Sequence, residues 1–150
     1  MSDNYIQLYY HLVWATKDRI PYIGDTTEAP LYQHIETLCN SARITVYALN
    51  GMPDHVHLVC TIPPTLALSD VIKDLKGKSA HYINHLDRNR LNLTWQPGYG
   101  ALTLAKRNLK PVVEYVRNQK RHHADNTLSA QMEWASGLSS DVPEGHSVTP

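Results

Sequence analysis

The sequence predicts an α+β fold, namely a ferredoxin-like (RRM-like) antiparallel sheet with helices on one face and one added C-terminal helix that bears a tyrosine. The hydrophobic periods indicate the order strand, helix, strand, strand, helix, strand, helix. That order is typical of one antiparallel sheet packed against helices, with the other face left free for a ligand, a nucleic acid or a second subunit. The chain has 150 residues, of which 42% are hydrophobic and 19% charged, enough for a single domain with one core.

Two patterns predict the strands of the first half. A segment with a period of two carries apolar or aromatic side chains on both faces, which predicts a central strand covered on each side. β-Branched and aromatic residues predict two further strands on either side of a turn. An apolar stripe with spacings of three and four residues lies between the first two strands and predicts a helix. In chain order these segments are a strand at 5–15, a helix that begins at Thr26 or Thr27, a strand at 43–50, a turn at 51–54 and a strand at 55–62.

Helical periods dominate the second half. The clearest apolar stripe predicts a long helix, after which a polar loop and a short strand follow. The last stripe repeats as i, i+3, i+4, i+7 and predicts a helix with Pro111 in its first turn, where a missing N–H costs no hydrogen bond. No period persists after that helix. The predicted segments are a helix at 68–86, a loop at 88–98, a strand at 99–104, a helix that starts near Asn108, and a flexible acidic and polar tail at 124–150.

The charges are distributed unevenly along the chain. The formal net charge is zero, with 14 basic and 14 acidic residues, yet every Lys and Arg lies at or before Arg121. Four of the acidic residues follow His123, and the segment 106–123 is strongly basic. A basic body with an acidic end is compatible with a polyanion partner such as nucleic acid, although many solvated surfaces look similar.

Several features predict a reduced, cytoplasmic protein with no membrane partner. The longest uncharged apolar stretch is too short to cross a bilayer. No basic segment followed by an apolar one opens the chain, and two cysteines are too few for a disulfide framework.

A pair of histidines marks the third predicted strand. His55 and His57 are two residues apart, so both imidazoles face the same way while Val56 faces the core. Two imidazoles on one rigid face can chelate a divalent metal. A pair that only packs or lies on the surface is the alternative.

The last predicted helix carries a second group of polar residues. Tyr115, Gln119 and His122 lie together on one flank of its apolar stripe, and Tyr115 and Gln119 are neighbours at i and i+4. The alternative is a tyrosine that closes the core beside a solvent-facing glutamine. Combined with the histidine pair, an amide oxygen and a phenol would make a metal site that polarises a phosphoryl group beside a nucleophile.

Four stretches resemble the small single-tyrosine HUH transposases of bacterial insertion sequences, of the insertion-sequence-200 and REP-associated types. Residues 51–59 resemble the His-hydrophobe-His motif, and residues 115–123 resemble the tyrosine helix. Residues 10–17 and 95–101 are similar as well, so the resemblance covers roughly residues 5–123.

The resemblance implies a function and a role for each matching residue. His55 and His57 would be metal ligands, Gln119 the third ligand and Tyr115 the nucleophile. The tyrosine would attack single-stranded DNA at a hairpin-forming element end, leaving a 5′-phosphotyrosine bond and a free 3′-hydroxyl. The metal would be Mg²⁺ or Mn²⁺, the protein a homodimer, and residues 1–123 the catalytic domain.

DNA contacts are predicted from cations that lie off the apolar faces and from aromatic rings able to stack on unpaired bases. A solvated surface is the alternative for each lysine, and a place in the core is the alternative for the tryptophan. The predicted DNA-binding residues are Lys17, Arg19, Lys73, Lys76, Lys78, Trp95, Tyr99 and His122.

Three other functions stay open. A domesticated REP-associated relative would use the same chemistry on genomic repeats. A non-enzymatic single-strand binder of RRM type would need exposed aromatic residues on the sheet, and the chain has no phenylalanine. A zinc hydrolase would need a carboxylate or a third histidine as ligand, and Asp54 is expected on the opposite face of the strand from the histidine pair.

Overall fold

The computed structural model describes residues 3–86 and 92–133, and its elements follow the predicted order through the fourth strand. A 3-10 turn at Lys17–Arg19 follows the first strand. The elements are β1 (Tyr9–Ala15), α1 (Asp25–Ser41), β2 (Thr45–Met52), β3 (His55–Thr61), α2 (Leu68–Asn84), β4 (Gly100–Leu104), α3 (Lys106–Arg117), α4 (Gln119–Asp125) and α5 (Ala130–Glu133).

The four strands form one antiparallel sheet in the order β2-β3-β1-β4, which confirms the predicted α+β fold. The histidine strand β3 is an inner strand. His57 lies opposite Val13 of β1 and Asn50 of β2, and His55 lies at the end of the same ladders. Because both neighbours pair with β3, the backbone that carries the histidines is held on each side.

Helices cover both faces of the sheet. On one face, α1 and α2 bury the main core, which includes Trp14, Val56 and Leu58. On the other face, α3 packs its apolar stripe on the sheet. The expectation that this second face is free is therefore wrong, because the stripe of the added helix buries its own apolar surface there. This second cluster consists of Ala48, Val59, Val112, Tyr115 and Val116.

Two element boundaries differ from the prediction for a local reason. The first strand begins at Tyr9 rather than Tyr5, because Tyr9 already lies opposite Thr61 and Leu104, the last residues of β3 and β4. The last helix begins at Lys106 and is interrupted at Asn118, whose side-chain amide donates a hydrogen bond of 2.8 Å to the carbonyl oxygen four residues earlier.

Residues 124–133, placed by the sequence in the tail, contain helical structure. The helix α4 ends at Asp125 and is capped by Asn126, which adopts the left-handed conformation typical of a helix C-terminus, and α5 begins at Ala130. Met132 of α5 packs against the second apolar cluster, and this contact explains how the segment docks. Residues 134–150 of the predicted tail lie outside the described residues.

Candidate metal and tyrosine site

The histidine pair points into the interior of the second face. Both His55 and His57 are completely buried. Their Nε2 atoms converge on one carboxylate oxygen, Oε2 of Glu133, at 3.3 Å and 3.2 Å respectively. The strand period therefore places both imidazoles on one side, as predicted, and the C-terminal segment supplies an acidic group between them.

A polar partner fixes the other nitrogen of each ring. His55 Nδ1 lies 2.8 Å from Asp54 Oδ1, and His57 Nδ1 lies 2.8 Å from Nε2 of His11. A proton on each Nδ1, donated to these partners, leaves both Nε2 atoms free to bind a metal. The expected position of Asp54 on the opposite face is wrong, because Asp54 precedes β3 in the turn and strand alternation does not apply to it.

The tyrosine hydroxyl also reaches the carboxylate. Tyr115 is 8% exposed, and its hydroxyl donates a hydrogen bond of 2.5 Å to Glu133 Oε1. The backbone N–H of Ser129 donates to the same hydroxyl at 3.1 Å. The tyrosine ring stacks on His122 at 4.5 Å between centroids. The phenol is therefore held by groups on both sides, and its oxygen contacts the same carboxylate as the histidine pair.

Gln119 completes the cluster. Its side chain is fully buried, with Oε1 3.1 Å from His55 Nε2 and 3.0 Å from His123 Nε2. Its amide nitrogen donates to Glu133 Oε1 at 2.7 Å. The structure thus brings together all four residues that the sequence singled out for metal binding and nucleophilic attack, although α3 and α4 are separated by a break.

Besides Asp54, two members of the site were missed by the sequence analysis. Glu133 lies in a segment without a hydrophobic period, so nothing in the pattern singles it out. His11 lies on β1 and was given no role, although it is fully buried and stacks on His57 with ring centroids 5.1 Å apart. The one available signal was the period of β1, which places a polar residue at an inward position.

Burial and charge act against each other at these groups. Burial disfavours the charged form of His55, but hydrogen bonds to Asp54 and Glu133 outweigh it and raise the His55 pKa to about 9. Burial and the neighbouring His57 lower the pKa of His11 to about 3. Burial opposes ionisation of Glu133, yet hydrogen bonds from the two histidines hold its pKa well below the usual range. Without a metal, a proton on His55 therefore balances the carboxylate.

The phenol is not acidified by these surroundings. Burial and the hydrogen bond to Glu133 raise the pKa of Tyr115 well above its usual value. The tyrosine is therefore neutral at physiological pH in the metal-free protein.

The donor set fits a divalent metal ion. His55, His57 and Glu133 each offer one ligand atom, and these atoms all lie within 4.8 Å of one another. The amide oxygen of Gln119 borders the same space. Imidazole nitrogens mixed with oxygen ligands suit Mn²⁺ on grounds of softness, and carboxylate and amide oxygens also suit Mg²⁺.

The predicted aromatic DNA contacts occupy other places. Trp95 is a core residue, 9% exposed, whose ring packs edge-on against Trp14 and whose N–H donates to Ser79. The prediction that Trp95 stacks on a base is wrong because its faces are covered by the main core. Tyr99 is half-buried against that core, and His122 stacks on the tyrosine of the site.

The basic side chains predicted to contact DNA differ in exposure and in the protein groups that they already bind. Lys76 donates to the carbonyl oxygens of Gln96 and Gly98 at 2.7 Å and 2.9 Å, so it holds a loop in place. Arg19 is paired with Asp54 at 2.8 Å and remains partly exposed. Of the lysines predicted to contact DNA, Lys17, Lys73 and Lys78 are exposed to solvent.

Comparison with known proteins identifies the relatives of this chain. A model of the family of IS200-like transposases matches residues 4–119. The ISDra2 transposase TnpA of Deinococcus radiodurans is 29% identical over 118 residues, which cover 75% of this chain and 84% of that protein. A transposase for insertion sequence element IS200 from Salmonella typhimurium is 25% identical over 115 residues, covering 73% and 75% respectively.

Two solved structures are similar in fold. A crystal structure of a candidate transposase from Deinococcus radiodurans R1 has a TM-score of 0.61 and 30% identity, covering 79% of this chain and 96% of that one. A REP-associated tyrosine transposase bound to a REP hairpin has a TM-score of 0.58 at 16% identity, with full coverage of both chains. Separately, no helix in residues 3–86 and 92–133 has the length and hydropathy that crossing a membrane requires.

Proposed function

Since this chain belongs to the IS200-like transposase family, whose members cleave and join DNA, we propose that Tyr115 is the group that attacks the DNA strand. The chain is an enzyme of that DNA-cleaving and strand-transferring class. The proposal adds the chemistry: a divalent metal held by His55, His57 and Gln119, and a covalent bond between the tyrosine and the 5′-phosphate of a single-stranded substrate.

One observation supports the proposal above all others. The hydroxyl of Tyr115 and the Nε2 atoms of His55 and His57 contact the two oxygens of a single carboxylate, Glu133. The phenol and the histidine pair therefore face the same small space. Attack on a metal-bound phosphate requires a nucleophile beside the metal position, and this arrangement supports that geometry.

The proposed step conserves atoms and bonds. The phenolic oxygen of Tyr115 attacks the phosphorus and gives up its proton, a new O–P bond forms, and the bond from phosphorus to the 3′-oxygen breaks. The leaving 3′-oxygen takes up a proton and becomes a free hydroxyl, so one proton is released and one is consumed. When bound, the metal ion polarises a phosphate oxygen and offsets the charge that develops on it. Because the phosphotyrosine bond retains the energy of the phosphodiester, the strand can be rejoined without a nucleotide cofactor.

The surrounding side chains have distinct proposed roles. Asp54 and His11 orient the imidazoles of His55 and His57 so that their Nε2 atoms face the metal. The Ser129 N–H and the ring of His122 orient the phenol. Because Ser129 and Glu133 both contact the phenol of Tyr115, the proposed catalytic unit includes residues up to at least Glu133, beyond the boundary expected at residue 123.

Single-stranded DNA with a hairpin is the proposed partner. A structural relative is bound to a REP hairpin, and the solvent-exposed side of α3 and α4 carries a run of cations in this chain. These cations are Lys106, Arg107, Lys110, Arg117, Lys120 and Arg121. The proposed assembly is a homodimer. The alternative substrate is a genomic repeat, on which a domesticated transposase would use the same site.

A denaturing gel with labelled oligonucleotides tests the nucleophile. Wild-type protein with Mn²⁺ and a hairpin-bearing single strand should form a covalent adduct that keeps a label placed 3′ of the break. Tyr115→Phe removes only the phenolic oxygen, so adduct and nicking should fall at least about a thousandfold while DNA binding is retained. Tyr82→Phe, which removes a hydroxyl from exposed α2 on the other face of the sheet, is the matched control.

Two results would contradict the assignment. Nicking that persists in Tyr115→Phe would exclude the tyrosine as nucleophile and would favour a zinc hydrolase, for which Glu133 now supplies the carboxylate ligand. A label retained from the 5′ side of the break would reverse the proposed polarity.

A further inference from the structure

We propose that Glu133 is itself a metal ligand, supplied by the C-terminal segment to a centre whose other ligands come from β3 and α4. The inference deepens the proposed function, because it concerns the same divalent ion at His55 and His57. It goes beyond that function because it assigns a role to a segment that follows the tyrosine helix and that lies beyond the matched family region, which ends at residue 119.

The geometry of the carboxylate is that of a ligand held in advance. Oε2 lies 3.3 Å from His55 Nε2 and 3.2 Å from His57 Nε2, so it faces the point on which both imidazoles converge. The other oxygen, Oε1, accepts hydrogen bonds from Tyr115 at 2.5 Å and from the amide of Gln119 at 2.7 Å. One oxygen is thus anchored while the other is directed at the metal position, as in sites where outer partners orient the ligand.

The charge of the cluster supports the same assignment. Two imidazoles and an amide oxygen are neutral donors, whereas hard divalent cations such as Mg²⁺ and Mn²⁺ favour anionic oxygen. Glu133 is 9% exposed, and every ion pair it makes within the described ranges is with a histidine, none with lysine or arginine. A buried carboxylate needs a positive partner, which a divalent ion at this position would supply.

A competing explanation makes the opposite prediction. The carboxylate could merely occupy the space that a phosphate takes, so that the C-terminal segment blocks the site. In that case removing the charge should strengthen or leave unchanged the binding of metal and DNA. For a ligand, removing the charge weakens metal binding, so the sign of one measurement separates the two.

Metal binding without DNA is therefore the experiment. Mn²⁺ is titrated into the full chain, and the free ion is followed by its electron paramagnetic resonance signal. Glu133→Gln keeps the size of the side chain but replaces the anionic oxygen, so the dissociation constant should rise at least about tenfold. Glu114→Gln makes the same charge change at an exposed position on α3 and should bind as the wild type does.

The remaining variants separate this inference from the proposed function. If His57→Ala abolishes binding while Glu133→Gln binds as tightly as wild type or more tightly, the metal centre stands and the assignment of Glu133 is overturned. If His57→Ala also binds Mn²⁺ normally, the proposed metal centre is wrong and this inference is wrong with it.

Circular dichroism checks that each variant is folded. Should Glu133→Gln not fold, Glu133→Asp, which withdraws the carboxylate by one methylene, replaces it, and unchanged affinity would again overturn the assignment.

Discussion

His11 lies outside the His-hydrophobe-His motif but contacts one of its histidines. His11 lies on β1, fully buried, with Nε2 2.8 Å from His57 Nδ1. Its own Nδ1 has no hydrogen-bond partner among residues 3–86 and 92–133. An unpaired buried nitrogen costs free energy, and the hydrogen bond to His57 is the polar contact that His11 makes in return. We interpret His11 as a positioning residue that sets which nitrogen of His57 faces the metal.

Substitution of His11 tests that role. His11→Leu fills much of the volume but cannot bond to His57, so we expect the dissociation constant for Mn²⁺ to rise about tenfold. His11→Gln keeps a side-chain oxygen as an acceptor and should lose less. Equal affinities of wild type and His11→Leu, with both proteins folded by circular dichroism, would assign His11 to packing alone.

The turn between β2 and β3 positions the proposed metal ligands of β3, and one glycine makes that turn possible. Gly51 lies opposite Val56 in the ladder, and a Cβ atom built on it would collide with the carbonyl oxygen of His55. Backbone atoms cannot move aside as a flexible side chain can. The close approach, rather than an unusual backbone angle, therefore requires glycine here.

Gly51→Ala should therefore affect stability and the site together. We expect its free energy of unfolding to fall by about 1–3 kcal/mol and Mn²⁺ binding to weaken, because His55 must shift. Gly77→Ala is the matched control: it lies within α2 with open space around it, so it should stabilise the protein by about 0.5–1 kcal/mol. Urea denaturation measures both, and a Gly51→Ala protein of wild-type stability would disprove the close approach.

Contacts with other elements determine where the C-terminal helices place their polar side chains. The helix predicted to be continuous is interrupted at Asn118, so the tyrosine lies on α3 and the glutamine on α4. Lys120 of α4 bonds to Glu28 of α1 at 2.7 Å and to Asn50 of β2 at 2.9 Å. These contacts tie α4 to the end of the sheet and keep Gln119 beside the histidine pair.

On the scale of the whole molecule, the two faces of the sheet carry different cations. The exposed cations of α3 and α4 lie on the face that holds the tyrosine, whereas Lys73 and Lys78 lie on α2 over the opposite face. A DNA strand bound at Tyr115 lies on the same face as the cations of α3 and α4. We therefore expect α3 and α4 to contribute more phosphate contacts than α2.

Salt dependence distinguishes the two sets. Replacing Lys106, Arg107 and Lys110 together by glutamine should reduce the slope of log binding constant against log salt by about two units for single-stranded DNA. The double variant Lys73→Gln, Lys78→Gln should change the slope little. Fluorescence anisotropy of a labelled strand over a range of salt concentrations measures both. A larger change in the α2 variant would instead place the DNA along α2, where the sequence analysis predicted contacts.

Local patterns were sufficient for much of the fold. Periods of two and of three to four residues predicted the order of strands and helices, because each element repeats its inward-facing positions at a spacing set by its own backbone. The same logic placed His55 and His57 on one side of a strand, a relation that holds within an element and needs no knowledge of its neighbours. It also placed Tyr115 and Gln119 on one flank of a single helix, whereas the structure divides them between α3 and α4.

Contacts between elements were decided only by the tertiary structure. Glu133 and His11 join the histidine pair from segments 76 and 46 residues away from His57, and no local period encodes such a meeting. Trp95 satisfied the pattern of a base-stacking residue yet is buried in the core. The physical reason is common to all three: side-chain environment depends on which surfaces pack together, and packing is a property of the assembled chain rather than of any one segment.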